Sequence, residues 1–210
     1  KHKGISFFLL DIKTPGITIR PLVNMANDHE FNEVFFDNVR VPKANLVGEL
    51  NRGWYVGMSL LNFERSGVEF PAEAQDLFSN LVKYAQETQH NGKPLSQDPL
   101  IQNRLAEMAI EIDVARLLAY RVTWLQGQGQ VPDSESSMSK LFGSEMWQRL
   151  ALLGMQILGL QGQLLSDSKW TPLKGRVERF YIYAVPSTIY SGTSEIQRNI
   201  MALRGLGLPR

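Results

Sequence analysis

The hydrophobic period of the sequence changes near residue 50, and this change limits the possible fold more than any other feature. Before it, apolar residues come in short runs that end at turn residues, as in "ITIRPLV" at 17–23. After it, apolar residues recur every three or four positions, as on the buried face of a helix. One such stripe comprises Ile101, Leu105, Met108, Ile112, Ala115, Ala119 and Val122. We therefore predict a mainly α protein, with antiparallel strands over 1–50 and a helical bundle over 51–210.

Three strands are predicted in the first segment. They are "GISFFLL" at 4–10, "ITIRPLV", and "EVFFDNVRVP" at 33–42, the last with a local bulge and an end at Pro42. Three strands are too few to close a barrel. We expect the missing strands before Lys1, which makes the chain part of a longer protein.

Five helices are predicted in the second segment. The first runs from Trp54 to about Glu87, with an interruption at Pro71. The next carries the stripe and is capped within Ser96–Pro99, where a proline stands in the first turn. The others cover 133–158, with Asp133 or Ser134 as the cap, 173–183 and 194–203.

Charge and composition exclude several classes of function. The 22 Lys and Arg residues balance the 21 Asp and Glu residues, so no global charge attracts nucleic acid or an anionic membrane. The absence of cysteine excludes disulfides and thiol nucleophiles, and the three histidines are scattered, so we predict no metal site. No apolar run reaches the about 18 residues that span a bilayer. The composition fits a cytoplasmic protein.

Two short motifs are candidates for chemistry. In "FERSG", at 63–67, Glu64 falls beside an expected packed face. It is either a solvated charge or a partly desolvated carboxylate, which is a stronger base. The expected packed face comprises Val56, Leu60, Phe63 and Gly67. In "YSGTSE", at 190–195, a tight turn precedes a helix and presents backbone N–H groups. The alternative there is a plain capping box, with Thr193 or Ser194 as the cap.

The order of segments along the whole chain resembles the acyl-CoA dehydrogenase family, and its heteromeric actinobacterial-type members in particular. The segments are "TPGI", "FFDNVRVPKANLVGELNRGW", "RLAEMAIEIDVARLLAYR", "QILG" and "YSGTSEIQRNIMALRGLG". The resemblance implies that 1–50 is the second part of the family's middle β-domain. It implies that 51–210 is the C-terminal up-down four-helix bundle.

The activity implied by the resemblance is FAD-dependent α,β-dehydrogenation of an acyl-CoA thioester, with electrons passing to an electron-transfer flavoprotein. Most of the family has its catalytic glutamate where this chain has Ser191. A minority places the base in a Glu-Arg pair on the first long C-terminal helix, and Glu64 matches that glutamate. Ser191 then keeps only the backbone N–H that binds the thioester oxygen. The alternatives are a non-catalytic partner subunit, an acyl-CoA oxidase and a helical interaction module.

The resemblance also implies roles for other residues. Those matching cofactor contacts are Gln156, Gly159, Thr193 and Glu195, and we predict substrate contacts at Asn62, Arg65, Tyr190 and Gly192. The family usually has an arginine and an aromatic residue that reach the neighbouring subunit's FAD, but here Thr88 and Asn91 stand at those positions. We therefore expect a sister acyl-CoA dehydrogenase subunit in a tetramer. The small Ser191 also suits a branched or ring-bearing acyl group, such as a steroid side chain.

Overall fold

The computed structural model describes residues 2–64 and 66–209, without the side chains of Asn62 and Phe63. The chain forms two compact units, Lys1–Glu64 and Arg65–Arg210. The first unit contains antiparallel strands and one helix, and the second is a bundle of helices. The predicted fold class is therefore confirmed. The domain boundary that we placed after residue 50 stays a prediction.

The first unit is built from two pairs of antiparallel strands. Its elements are β1 (Phe7–Phe8), β2 (Ile17–Leu22), β3 (Phe31–Phe36), β4 (Leu46–Val47) and α1 (Gly53–Glu64). β1 pairs with β4, and β2 pairs with β3. The strand predicted over 33–42 ends early, at Phe36, because Asn38 adopts a left-handed conformation with φ 49° and turns the chain away from the ladder. The strand predicted over 4–10 is also shorter than expected, because β1 comprises Phe7 and Phe8 alone.

The β2–β3 pair exposes apolar side chains within this unit. Phe31, Val34, Phe35 and Phe36 are all exposed, Phe36 by 63%. An isolated two-stranded ribbon is at best marginally stable in water. The strands expected before Lys1 stay a prediction.

The second unit surrounds one central helix. Its elements are α2 (Glu69–Glu87), a hairpin of β5 (Gln89–His90) and β6 (Lys93–Pro94), α3 (Pro99–Gly127), α4 (Asp133–Leu158), α5 (Arg176–Ser187) and α6 (Ser194–Ile200). α4 packs against α2, α3, α5 and α6. It is therefore the element on which the position of every other helix in this unit depends.

The predicted stripe on α3 is confirmed. Asp98 caps the helix by accepting a hydrogen bond from the Leu100 N–H at 2.8 Å, and Pro99 occupies the first position. All residues of the stripe are buried except Ile101, which is half-buried. The four-and-three spacing thus identified the face that packs inside the bundle.

Several predicted helix boundaries are wrong. The single helix over 54–87 is two helices, α1 and α2, and the break precedes Pro71. Gly67 in the break has a φ of 68°, whereas Pro71 lies in the first turn of α2, where its missing N–H costs no helical hydrogen bond. The helix predicted over 173–183 begins only at Arg176, because Leu173 and Lys174 adopt left-handed φ angles.

The other two helix ends differ less. α4 begins at Asp133, but neither predicted residue caps it, because Pro132 occupies the cap position. α6 ends as an α-helix at Ile200, and the chain continues as one π-helical turn over Met201–Gly205.

An aromatic cluster joins α4 to α2 and α5. The indole N–H of Trp147 donates a hydrogen bond of 2.7 Å to the Phe70 carbonyl, and the two rings pack edge to face at 4.7 Å. The centre of the Phe180 ring lies 5.2 Å from the centre of the Trp147 ring. Gly143 leaves room for this cluster, since a Cβ there would lie 2.7 Å from Phe70 side-chain atoms.

We predict that Gly143→Ala destabilises the full-length protein. The added methyl group overlaps the Phe70 ring, and overpacking of this kind costs about 1–3 kcal/mol, more than the about 0.5–1 kcal/mol that alanine gains over glycine within a helix. Chemical denaturation measures the difference. The matched control is Gly127→Ala in α3, where a Cβ meets no atom within 4 Å, and no loss is expected. Equal stability of Gly143→Ala and wild type would contradict the packing described here.

Candidate functional site

The segment between α5 and α6 forms a tight turn. Ser191 and Gly192 both adopt left-handed conformations, with φ angles of 53° and 96°. Thr193 then caps α6 by accepting a hydrogen bond from the Ile196 N–H at 3.3 Å. The capping interpretation of "YSGTSE" is therefore correct for Thr193, and it leaves the turn itself available for another role.

The carbonyl groups of this turn are hydrogen-bonded, whereas its N–H groups are not. The Ser191 and Gly192 carbonyls accept hydrogen bonds from the Gln197 side-chain amide, at 3.1 and 3.2 Å. Within the described residues, the N–H groups of Ser191, Gly192 and Thr193 have no hydrogen-bond acceptor. The turn thus presents unpaired donors, as an oxyanion-binding loop requires.

Gln197 was missed by the sequence analysis. It is only 2% exposed, although glutamine is mostly found at protein surfaces. The only signal in the sequence for the burial of Gln197 is that a polar residue falls on the packed face of α6.

Lys140 of α4 is a second residue that the sequence analysis missed. It is 6% exposed, and its ammonium group has no hydrogen-bond partner among the described residues. The ammonium lies 6.0 Å from the centre of the Tyr190 ring. Burial lowers the pKa of Lys140, while the carboxylates of Glu145 and Glu195 act in the opposite direction. A buried cation thus lies beside the residue that precedes the turn.

Glu195 is the carboxylate nearest in sequence to the turn. Its own backbone N–H and the Thr193 hydroxyl hold the pKa of this exposed carboxyl below its ordinary value. A carboxylate with a lowered pKa is a weak base. Glu195 is therefore a poor candidate for removing a proton from carbon, and its predicted role as a cofactor contact stays a prediction.

Two adjoining cavities lie along the surface of α4, and we call them together the α4 groove. One part is a cleft of about 560 Å³ that Thr193, Glu195 and Arg198 line together with α4 residues. A second part of about 220 Å³ is lined by Arg104 and neighbouring residues. Both parts share Arg149 and Leu152, so they adjoin.

The other two predicted cofactor residues lie at the far end of α4. The guanidinium of Arg104 donates a hydrogen bond to the side-chain oxygen of Gln156, which places Gln156 beside the second part of the groove. Gly159 ends α4 with a φ of 60°. The structure therefore brings Thr193 and Glu195 to one part of the α4 groove and Gln156 to the other.

The α4 groove is lined mainly by charged side chains. Leu152 is 48% exposed and supplies an apolar wall. Arg149 and Arg198 each pair with a carboxylate, Glu111 and Glu145, at 2.7 Å. The hydrogen bond of Arg104 to Gln156 goes instead to a neutral amide, so its positive charge is not neutralised there. Arg104 is therefore the lining cation that could pair with an anionic group such as a diphosphate.

The positions where the family has an arginine and an aromatic residue lie around the β5–β6 hairpin. Thr88 ends α2, and its N–H donates to the Tyr84 carbonyl at 2.9 Å. Asn91 and Gly92 form the hairpin turn with φ angles of 52° and 77°, the combination that Asn-Gly sequences favour. Asn91 therefore has a conformational role, and neither Thr88 nor Asn91 offers a guanidinium or an aromatic ring.

Glu64 is the last residue of α1 and belongs to the first unit. It is exposed there, and so is Leu60 by 61%, so the apolar border that we expected around Glu64 is not formed within that unit. Asn62 lies in α1 without a described side chain, and Arg65 lies outside the described residues. Tyr190, Ser191 and Gly192 belong to the second unit.

Metal binding and membrane insertion have no counterpart in the described part of the chain. No group of three or more His, Asp and Glu side chains among residues 2–64 and 66–209 could hold a metal ion. No described helix combines the length and apolar character needed to cross a membrane.

Comparison with known proteins identifies the family. Residues 51–206 match the family model described as the acyl-CoA dehydrogenase C-terminal domain. The chain belongs to the acyl-CoA dehydrogenase family. The resemblance seen in the sequence is thereby confirmed.

Individual relatives show the same likeness over the whole chain. The chain is 36% identical over 214 residues to acyl-CoA dehydrogenase IpdE1 of Mycobacterium tuberculosis, an alignment that covers 100% of this chain and 52% of that protein. Among solved structures, the ChsE4-ChsE5 complex from the same organism has a TM-score of 0.89 at 32% identity, covering 99% of this chain and 53% of that one. A Tcur3481-Tcur3483 steroid ACAD variant has a TM-score of 0.91 at 26% identity, covering 100% and 54%.

The chain spans about half the length of the curated relatives it matches. Members of this family bind FAD, in agreement with the predicted cofactor. The residues that would contact the cofactor and the substrate are not tested by these comparisons and stay predictions.

We predict that Lys140→Met stabilises the full-length protein at neutral pH, because it removes a buried ammonium group that has no hydrogen-bond partner among the described residues. The expected gain is about 1–3 kcal/mol, the cost of an unsatisfied buried polar group. Folding lowers the pKa of Lys140, so its penalty is fully present at neutral pH, where both the folded and the unfolded state are charged. As the pH rises towards 10.5, the folded state loses the proton first and the penalty shrinks.

Chemical denaturation at neutral pH and at about pH 10 tests this prediction. The gain should be largest at neutral pH and smaller at the alkaline pH. Lys83→Met is the matched control, because Lys83 lies exposed on α2 beside Glu87 at 3.9 Å and its loss should give no gain. A less stable Lys140→Met variant would show that the ammonium has a stabilising partner in the full-length protein.

Proposed function

We propose that the full-length protein is an FAD-dependent acyl-CoA dehydrogenase in which Glu64 removes the α-proton of the acyl-CoA thioester. The family match over 51–206 supports the class of reaction. One observation supports assigning the base and the oxyanion donor to different elements. The turn at Ser191 offers unpaired N–H donors but no carboxylate that could act as a base. The turn therefore suits the binding of an oxyanion, and the base has to come from another element.

Glu64 is the base in this proposal. A serine hydroxyl cannot accept a proton from carbon without a stronger base beside it, and the lowered pKa of Glu195 makes that carboxylate a weak base. Glu64 matches the glutamate of the Glu-Arg pair that a minority of the family uses. Its exposed position at the end of α1 leaves the carboxylate accessible to a substrate.

The turn stabilises the negative charge that forms on the thioester oxygen. Loss of the α-proton moves charge onto this oxygen, and the backbone N–H of Ser191 is a donor already held in place. This donor does not depend on the side chain at 191, so serine serves as well as glutamate. Tyr190 and Gly192 flank the oxygen site, and Asn62 and Arg65 belong to the substrate contacts on the side of Glu64.

The cofactor-binding residues in this proposal are Gln156, Gly159, Thr193 and Glu195, along the α4 groove. FAD, when bound, would supply the acceptor for the β-hydrogen as hydride, and an electron-transfer flavoprotein would then take up the electrons. The role of these residues is to bind and orient the cofactor.

A sister acyl-CoA dehydrogenase subunit completes the protein in this proposal. The similar ChsE4-ChsE5 structure is a complex of two named chains. Thr88 and Asn91 give this chain neither the arginine nor the aromatic residue that the family contributes to its neighbour's FAD. A sister chain that has this arginine would supply it to the flavin beside Glu64. The small Ser191 leaves room for a ring-bearing acyl group, and the similar structure titled a steroid ACAD supports this class of substrate.

We predict that Glu64→Gln abolishes turnover while the full-length protein keeps its flavin. Removal of a general base costs about 10²–10⁴-fold in rate. Anaerobic flavin bleaching by a panel of acyl-CoA thioesters measures the effect. The matched variant Ser191→Ala should lose little activity, because it keeps the backbone N–H. Near-normal turnover by Glu64→Gln would rule out Glu64 as the base.

We also predict an α2β2 tetramer with one FAD per two chains. A diphosphate without an arginine loses charge-assisted hydrogen bonds worth about 1.5–3 kcal/mol each, so the site that depends on Thr88 should stay empty. Co-expression with a sister dehydrogenase gene, followed by absorbance measurement of flavin per chain, tests this stoichiometry.

Thr88→Arg is the informative variant, because it restores the guanidinium and leaves Asn91 in the turn that its φ angle favours. Flavin content should then rise towards one FAD per chain. A wild-type homotetramer with one FAD per chain would contradict the heteromeric arrangement.

A further inference from the structure

The side-chain amide of Gln197 donates hydrogen bonds to the turn. Its nitrogen donates to the carbonyls of Ser191 and Gly192, two consecutive residues, and the side chain is almost fully buried. Gly192 lets the amide approach, because a Cβ at this position would lie 2.5 Å from the Gln197 nitrogen. Gly192 and Gln197 therefore form a matched pair.

These two hydrogen bonds fix the direction of the backbone donors. Because a peptide group is planar and trans, its N–H points opposite to its C=O. Holding the Ser191 and Gly192 carbonyls towards Gln197 therefore directs the N–H groups of Gly192 and Thr193 away from it. The orientation of the peptide after Ser191 also limits how the Ser191 N–H can rotate.

The conformation of Ser191 needs such support. Its φ of 53° lies in the left-handed region, which residues with a Cβ rarely adopt. A conformation of this kind persists only where the surrounding structure holds it. Gln197 is the described side chain that bonds to both carbonyls of the turn.

We propose that Gln197 is a positioning residue that holds the turn at Ser191, and with it the backbone N–H donors of the turn, in the orientation required for thioester binding. The role presupposes the acyl-CoA dehydrogenase activity proposed above. Gln197 itself touches neither substrate nor cofactor. It acts through the turn, so its loss should weaken stabilisation of the transition state more than binding of the ground state.

The experiment compares two variants of the full-length protein loaded with flavin. Gln197→Met keeps the length of the side chain and removes the donor. Loss of a complete oxyanion donor costs about 10²–10³-fold, so loosening one should lower kcat by about 10–100-fold with KM changed by less than about threefold.

Gln197→Glu adds a test by pH. A protonated carboxyl can donate one hydrogen bond to the turn, whereas a carboxylate can only accept. The activity of Gln197→Glu relative to Gln197→Met should therefore rise as the pH falls from about 8 to about 6, because burial raises the pKa of a carboxyl group. The same charged side chains lie on the elements packed here in both variants. They are Asp133, Glu135, Lys140, Glu145 and Arg149 on α4, Glu195 and Arg198 on α6, and Arg204 on the turn that follows α6. Their titration cancels in the ratio.

Gln75→Met is the matched control. Gln75 donates a hydrogen bond from its amide to the Ser79 hydroxyl on the exposed face of α2, away from the turn and the groove, so its loss also removes an amide donor. Its kcat should stay within about twofold of wild type. Amide hydrogen exchange supplies a readout independent of activity: the hydrogen-bonded N–H groups of residues 189, 190 and 194, which flank the turn, should exchange several-fold faster in Gln197→Met than in Gln75→Met.

Three outcomes would overturn the role of Gln197. One is wild-type kcat in a folded, flavin-loaded Gln197→Met protein. Another is a constant activity ratio between the two Gln197 variants across the pH range, and the third is unchanged amide exchange at residues 189, 190 and 194. If Gln197→Met does not fold, the pH profile of Gln197→Glu against that of Gln75→Met decides the question. Failure of the proposed function is distinguishable, because wild type itself would then not oxidise acyl-CoA.

Discussion

The position of α4 inside the bundle is the constraint on which the rest of the second unit depends. The hydrogen bond from the Trp147 indole to the Phe70 carbonyl joins α4 to α2 in a buried environment, where a lost partner is costly. The same indole contacts Phe180 of α5, and Gly143 is small enough to admit the Phe70 ring. One cluster therefore fixes three helices relative to one another.

The turn at the candidate site depends on the same helix. Gln148 holds the end of α5, the Ser187 hydroxyl donates to the Ser144 carbonyl, and Arg198 of α6 pairs with Glu145. The turn between α5 and α6 is thus attached to α4 on both sides. Donors carried by a turn that is anchored to a packed helix are held more accurately than donors on a free loop. This arrangement explains how a short non-helical segment can keep N–H groups oriented for catalysis.

The bundle was predictable from the sequence because one signal lasts over many residues. The α3 stripe repeats the same spacing from Leu105 to Val122, and all of its members in that range are buried. The positions at which helices and strands begin and end were predicted less well. The end of β3 and the start of α5 depend on left-handed residues, Asn38 and Leu173, and a hydrophobic period does not reveal φ angles. The split between α1 and α2 likewise depends on Gly67, not on the more conspicuous proline.

The site was predictable only where its residues are close in sequence. The turn motif and Thr193 were found from local spacing. Lys140 and Arg104 were not, because their importance comes from contacts with residues on other helices, such as that of Arg104 with Gln156. A crystal structure of the full-length protein with FAD and an unreactive acyl-CoA analogue tests the central claim most directly. It should show a Glu64 oxygen about 3–3.5 Å from the α-carbon and the thioester oxygen about 2.7–3.1 Å from the Ser191 nitrogen. A different carboxylate at the α-carbon, or a thioester oxygen bound away from the turn, would contradict it.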